Sequence, residues 1–317
     1  MKFIKEKWFH LLLLALALIV PLIVPNRYAF QIIIMSCLYA IGTLSMNLIL
    51  GYTGQASLAH AGFFGIGAYG VALLTQAGMS FWLALPLAAL LAATLGFFVG
   101  LPTLRTRGSY FAISTLCMGV IIEIVAGNWV SLTGGTTGIV GIPQPTPIGP
   151  LHFETQTSQY YLVLFFLLLT LFVMHRLVFS LRGLSFMAVR NNEVLAEAVG
   201  INTFSTKIIS FVITNFFAGL AGGIYAALMG SISPSSASII ITFNMLVYLL
   251  LGGMATMAGP IIGAFAIPIL MEYLQALQDY SMIIFGVLLI VVIIYFPRGL
   301  MGGVTTLRNR MTGFKKG

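Results

Sequence analysis

Residues 28–77 read YAFQIIIMSCLYAIGTLSMNLILGYTGQASLAHAGFFGIGAYGVALLTQA, fifty residues without a Lys, Arg, Asp or Glu. The charge-free run continues to Leu104, and a second fills the interval from Ile208 to Met271. A helix needs roughly 20 apolar residues to cross a hydrocarbon core about 30 Å thick. Each interval therefore has room for several crossings. The rest of the chain agrees: of 317 residues, 59% are hydrophobic and 7% carry a formal charge, where a soluble domain carries about 25%. A soluble enzyme is excluded. The expected fold class is all-α, a polytopic integral membrane protein.

Gly, Pro, polar and charged residues divide the chain into apolar segments at Trp8–Val24, Tyr28–Leu50, Ser57–Ala77, Phe81–Leu101, Ser109–Val130, Tyr160–Phe179, Ile208–Met229, Ile239–Leu251, Pro260–Leu274 and Ser281–Phe296. About ten transmembrane helices are expected, the eighth and ninth short for a crossing. With the N-terminus cytoplasmic, Lys2, Lys5, Lys7, Arg105, Arg107, Arg176, Arg182, Arg190, Lys207, Arg298, Arg308, Arg310, Lys315 and Lys316 fall inside and only Arg27 outside, 14 cations against 1. Insertion retains Lys and Arg on the cytoplasmic side, so both termini are expected there. Lys2, Lys5 and Lys7 before Leu11–Val24 imitate a signal peptide. No A-x-A site follows, so the segment is read as a retained helix. Domain organisation is one transmembrane unit over residues 1–317, with an extracytoplasmic loop at 131–159, a cytoplasmic loop at 181–206 and a basic tail at 298–317.

Several chemistries are missing. There is no G-x-x-x-x-G-K-[ST] phosphate loop, no H-E-x-x-H and no Cys/His cluster. If ATP is used, another chain hydrolyses it. Cys37 and Cys117 lie in apolar runs, where small thiols pack as core residues, and neither a disulfide nor a metal site is expected. The net charge of +8 is spread along the flanks of apolar segments, which is no footprint for nucleic acid.

Ionisable residues within spans are candidate functional sites, since placing them in lipid costs energy. There are few here: His60, Glu123 and, near an end, Glu272. Such scarcity counts against a proton- or sodium-driven relay. For Glu123 a gate or ion site competes with a carboxyl hydrogen-bonded to a neighbouring helix. For His60 the bland reading is a neutral imidazole bonded across to another helix.

Glycine carries more of the signal. Gly51-Tyr52-Thr53-Gly54-Gln55-Ala56-Ser57 interrupts two spans, and Gly62, Gly65, Gly67 and Gly70 follow. Gly252-Gly253-Met254-Ala255-Thr256-Met257-Ala258-Gly259-Pro260 interrupts another pair. Small residues let helices approach closely, which accounts for most of these positions. Gly/Pro breaks in both halves also mark where transporters open backbone toward a cavity. The candidate pathway is therefore Gly51, Gly54, Gln55, Ser57, His60, Glu123, Gly252, Gly253, Thr256 and Gly259.

In the loop 181–206 the spacing predicts one helix from Ser185 to Val199, closed by Gly200 in a left-handed cap. Met187, Val194, Leu195, Ala198 and Val199 share an arc of about 140°, with Arg190, Glu193 and Glu197 elsewhere. The alternatives are a helix lying in the lipid interface and a helix docking into a cytoplasmic partner. Two glutamates on the polar face favour docking, because an anionic leaflet repels them.

The chain resembles the permease subunits of ABC importers for branched-chain amino acids, of the LivM type. The stretches that carry the resemblance are GYTGQASLAHAGFFGIGAY at Gly51–Tyr69, LTGGTTGI at Leu132–Ile139, RGLSFMAVRNNEVLAEAVGIN at Arg182–Asn202, Ile232-Ser233-Pro234, LGGMATMAGPIIGA at Leu251–Ala264, and Pro297-Arg298-Gly299-Leu300. Ala255 departs from the pattern, since the family commonly has Gly there. The resemblance implies a second related permease subunit, two ATP-binding subunits that carry ATP and magnesium, and an extracytoplasmic substrate-binding protein, in a bacterial inner membrane. It implies no cofactor on this chain itself. It also implies that Arg190, Glu193, Val194, Glu197, Ala198 and Gly200 form the loop coupling the spans to the ATPase. Sugar and urea permeases share the general pattern, so a small polar solute is the alternative substrate, and an ion-coupled carrier or channel the alternative class.

Overall fold

The computed structural model describes residues 18–21, 26–147, 149, 153–275, 286 and 299–302. Apart from short pieces, the expected spans Trp8–Val24 and Ser281–Phe296 and the tail Arg298–Gly317 lie outside the described residues. The described chain is mostly helical. Helix α1 (Arg27–Met46) opens at Asn26, whose side chain accepts the Tyr28 N–H at 3.0 Å, and runs on without a gap as a π-turn over Asn47–Tyr52. After an extended stretch come α2 (His60–Gln76), α3 (Phe81–Thr103) and α4 (Ser109–Asn128). Then follow the single turn α5 (Val130–Thr133), a 3-10 turn at Gly135–Thr137 and strand β1 (Ile139–Val140). Beyond these lie α6 (Gln156–Val178), α7 (Leu181–Asn191), α8 (Glu193–Ala198) and α9 (Thr203–Met229). Strand β2 (Ser231–Ile232), a 3-10 turn at Pro234–Ala237, α10 (Ile239–Gly252) and α11 (Gly259–Gln275) complete the order.

Among the described residues, five helices are long and apolar enough to cross a membrane: Arg27–Tyr52, Phe81–Thr103, Ser109–Asn128, Gln156–Val178 and Thr203–Met229. At about 1.5 Å per residue, α10 reaches only about 21 Å, short of the hydrocarbon thickness. It packs instead as an antiparallel hairpin with α11. A Cβ on Gly252 would strike the Gly259 carbonyl, and one on Gly263 the Tyr248 carbonyl.

Helix α9 forms the centre, against α2 and α3 on one side and α1 on the other. Its contact with α2 is backbone on backbone: a methyl on Gly67 would overlap the Gly219 peptide, and one on Gly222 the Phe64 carbonyl. That is the small-residue packing expected where no hydrophobic effect draws helices together in lipid. Ala88, Ala89 and Ala92 of α3 line the same seam. Of the long helices α4 is the most peripheral, with 22% of its apolar window buried against 78% for α1.

Three expectations change. The loop 131–159 is not structureless: besides α5 and the 3-10 turn, β1 pairs antiparallel with β2, Ile139 opposite Ile232, and the last residues are the first turn of α6. The first glycine break falls later than expected, because the π-turn carries α1 through Gly51 and α2 starts only at His60. The single helix over Ser185–Val199 is two helices. Asn192 is extended (φ −160°, ψ 109°), ends α7 and caps α8 by accepting the Leu195 N–H at 3.0 Å. Asn favours this local bond over helix continuation. The Gly200 cap stands, with φ +87° and its N–H donated to the Glu197 carbonyl.

Candidate functional site

The two glycine runs, some two hundred positions apart in sequence, are one site in space. Asn47, buried in the π-turn, accepts the Ala255 N–H at 2.9 Å through Oδ1 and donates through Nδ2 to the Thr256 carbonyl at 2.8 Å. A Cβ on Gly51 would lie 2.8 Å from the Ala255 nitrogen. The run around Ala255 is held as a tight turn by Thr256, whose hydroxyl donates to the Gly253 carbonyl at 2.8 Å and accepts the Gly259 N–H at 3.0 Å. Gly252, Gly253 and Gly259 are buried there. Gly299 packs on Gly253 from the far end of the chain.

Below the π-turn the backbone crosses Thr53–Ala59. The Thr53 hydroxyl sits 2.7 Å from that of Ser210 on α9 and donates to the Leu48 carbonyl at 3.0 Å. Gly54 has φ +76° and Ser57 is buried, while Gln55 is half-buried. The start of α2 lies inside the bundle, and its free N–H groups find side chains of other helices. Leu58 N–H is accepted by Thr115 of α4 at 3.0 Å, and Ala61 N–H by Thr242 of α10 at 2.9 Å. His60 Nε2 lies 3.1 Å from Ser45 Oγ and 3.0 Å from the Gly42 carbonyl. That is the imidazole bonded across to α1, as the bland reading expects. Glu123 stands apart from this network: it is half-buried on α4 and has no hydrogen bond or ion pair among the described residues.

The α7–α8 pair reaches the first glycine break directly. A Cβ on Gly54 would lie 3.2 Å from the Arg190 Cα and 2.9 Å from its Cγ. Phe186 of α7 is buried with Leu48, Tyr52, Met174, Val178 and Phe217, and Ala255 and Met257 pack on the same cluster. Of the two glutamates of α8, Glu197 is exposed and Glu193 is turned into an ion pair. Glu193 binds the ammonium of Lys207, a lysine 2% exposed on α9, and has Arg107 at 3.9 Å. Glu197 accepts the Thr203 hydroxyl at 3.1 Å. This corrects the argument that two free glutamates would repel a leaflet, since the charge on Glu193 is already answered within the chain. The exposed side of the pair mixes apolar and charged residues: Leu181, Leu184, Val194, Leu195 and Val199 are all at least 60% exposed, with Ala198, Arg182, Arg190 and Glu197 exposed among them.

Asn47, Thr115, Thr242, Ser210 and Lys207 were not among the expected site residues. Asn47 carried a visible signal, as an amide inside an otherwise apolar span. The threonines did not, because a hydroxyl in a helix also bonds its own preceding turn.

The sequence profile of the family described as "Branched-chain amino acid transport system / permease component" matches residues 28–293. The chain is 34% identical over 322 residues to the high-affinity branched-chain amino acid transport system permease protein LivM of Salmonella typhimurium, covering 94% of this chain and 75% of that one. LivM of Escherichia coli matches with the same 34% identity and coverage. A probable branched-chain amino acid transport permease protein LivH of Methanocaldococcus jannaschii is 25% identical over 280 residues, 82% of this chain and 87% of that one. No solved structure matches the chain. With its apolar helices and this profile match over most of its length, the chain belongs to the permease component family of branched-chain amino acid transport systems.

Proposed function

We propose that this chain is one membrane-spanning permease subunit of an ATP-driven importer for branched-chain and other hydrophobic amino acids. Residues 1–317 act as one transmembrane domain of a bacterial inner membrane, with both termini and the α7–α8 pair cytoplasmic. A second, related permease completes the passage, two ATP-binding subunits supply the energy, and an extracytoplasmic binding protein delivers the substrate. The observation that carries this reading is the contact of Arg190 with Gly54. A load on the exposed side of α7–α8 passes through Arg190 and Phe186 to the break that begins α2 and to the Asn47-linked turn. Coupling is thermodynamic: nucleotide binding must favour one arrangement of these elements over the other, or nothing moves. The anchoring of Glu193 on Lys207 transmits that load to α9 as well.

An apolar passage accepts Leu, Ile and Val with little discrimination, since one methylene is worth about 1–3 kcal/mol. The test is purification in mild detergent followed by reconstitution. An ATPase pair and a second permease should co-purify, and leucine, isoleucine and valine should compete for ATP-dependent uptake. Competition by ribose or urea but not leucine overturns the substrate assignment. Flux through the chain reconstituted alone, without ATP, overturns the importer reading in favour of a carrier or channel.

A further inference from the structure

We infer that Glu123 receives the ammonium group of the amino acid as it passes through the bundle; this rests on the amino-acid importer reading above. Gly119, Glu123 and Gly127 are spaced by four and share one line of α4. Both ends of that line touch protein. A Cβ on Gly119 would lie 3.3 Å from the Ala59 Cα and 3.4 Å from the Leu58 carbonyl, at the break before α2, and one on Gly127 would lie 3.9 Å from Pro234. The lower end of this line is thus covered by the start of α2 and the upper end by the 3-10 turn Pro234–Ala237, which itself packs on Gly65 of α2. Glu123 lies midway, half-buried at the edge between this packed line and the side of α4 that carries the exposed Ile113, Ile121 and Ile124.

A carboxylate in a span is costly unless a cation or donor answers it. No Lys or Arg occurs in α2, α4, α10 or the Pro234–Ala237 turn, and none of the described residues binds Glu123. No described residue of this chain supplies that cation, and the proposed cargo brings one on every passage. An aliphatic amino acid presents an ammonium to Glu123 and an apolar side chain to the apolar residues of the spans. Because the group is answered only while cargo is present, the carboxylate is a transient stop on the route and not a structural pair.

The experiment uses the full complex with its binding protein in proteoliposomes and radiolabelled leucine as probe. Glu123→Gln keeps the shape and removes the charge, and should cut the maximal uptake rate at least tenfold. Glu123→Asp should retain at least a third of it, and Glu123→Lys should abolish it. Co-purification of all subunits reads assembly for each variant. Wild-type uptake by an assembled Glu123→Gln complex overturns the inference and leaves the importer reading intact. Loss of the second permease from the Glu123→Gln complex also overturns it, because the carboxylate then pairs a base on that subunit. Absence of leucine uptake by the wild-type complex overturns the importer reading, and this inference with it.

Discussion

Asn47 and Ala255 are joined by a hydrogen bond of 2.9 Å that links the end of the second expected span to the turn between the eighth and ninth. The same amide holds the Thr256 carbonyl at 2.8 Å, so one buried side chain satisfies two backbone groups that helix geometry leaves open. Asn47→Leu removes both partners at once. With each orphaned buried group costing about 1–3 kcal/mol, a loss of about 3 kcal/mol is expected, read as a lowered melting temperature of the purified complex. Asn47→Asp keeps the acceptor for Ala255 but loses the donor to Thr256 and sets a buried carboxylate against that carbonyl, so it should fare no better than Asn47→Leu. A wild-type melting temperature for Asn47→Leu would show that the turn is held by something else.

Ala255 is the one non-glycine with positive φ among the described residues, at +56°. A left-handed conformation costs an L-residue about 1–2 kcal/mol, while glycine adds about 0.4–1 kcal/mol of unfolded-state freedom. Ala255→Gly should therefore stabilise by about 0.5–1 kcal/mol. Thermal unfolding of the two complexes side by side checks the sign. The family commonly carries Gly at this position, and the backbone here still adopts the geometry that glycine favours.

Gly67 and Gly127 make a contrasting pair. A methyl at Gly67 would enter the Gly219 peptide, while at Gly127 nothing lies closer than 3.9 Å. Overpacking against backbone costs about 1–3 kcal/mol or more, so Gly67→Ala should reduce the yield of folded protein in the membrane. Gly127→Ala should leave it unchanged. Comparable yields would mean that α2 and α9 separate more readily than their packing implies.

Lys207 is the test of how α8 is held. Leaving one charge of a buried pair unanswered costs about 3–5 kcal/mol. Glu193 is 22% exposed, which places Glu193→Gln at the lower end, about 3 kcal/mol. Arg107 is 68% exposed, and Arg107→Gln should change stability by less than about 0.5 kcal/mol. Replacing both members of the buried pair, Lys207→Met with Glu193→Leu, should recover most of the loss. Recovery without restored uptake would separate the fold from the coupling.

How much of this was legible before the structure follows a physical line. The long apolar helices were, because length and missing charge suffice to identify them. Where two segments meet was not. Helix α3 is apolar on nearly every side, so periodicity gives no face to align, and a contact such as Asn47 with Thr256 leaves no trace in local pattern. The π-turn through Gly51 and the extended Asn192 were hidden for the opposite reason: both are local choices between near-equal alternatives that tertiary contacts decide. The Gly200 cap could be read because a left-handed residue at a helix end is almost a property of glycine alone. Glu193 and Glu197 do share a helix, though it is the shorter α8 and not the expected Ser185–Val199, and their partners Lys207 and Thr203 lie on α9, beyond the reach of local pattern.

The short ladder of β1 on β2 is joined by further stitches from the same loop. Val140 accepts the Gln76 side-chain amide at 3.1 Å, at the end of α2. Thr146 meets Ser80 at 3.0 Å and accepts the Trp82 indole at 2.9 Å, at the start of α3. Ile142 N–H is donated to the Gly230 carbonyl at 2.9 Å, where α9 ends. One strip of loop thus works as a belt buckled across three helix tips. At that rim the tips of α2, α3 and α9 are tied to one another through a single strip of loop, so a shift of any one of them is passed to the other two.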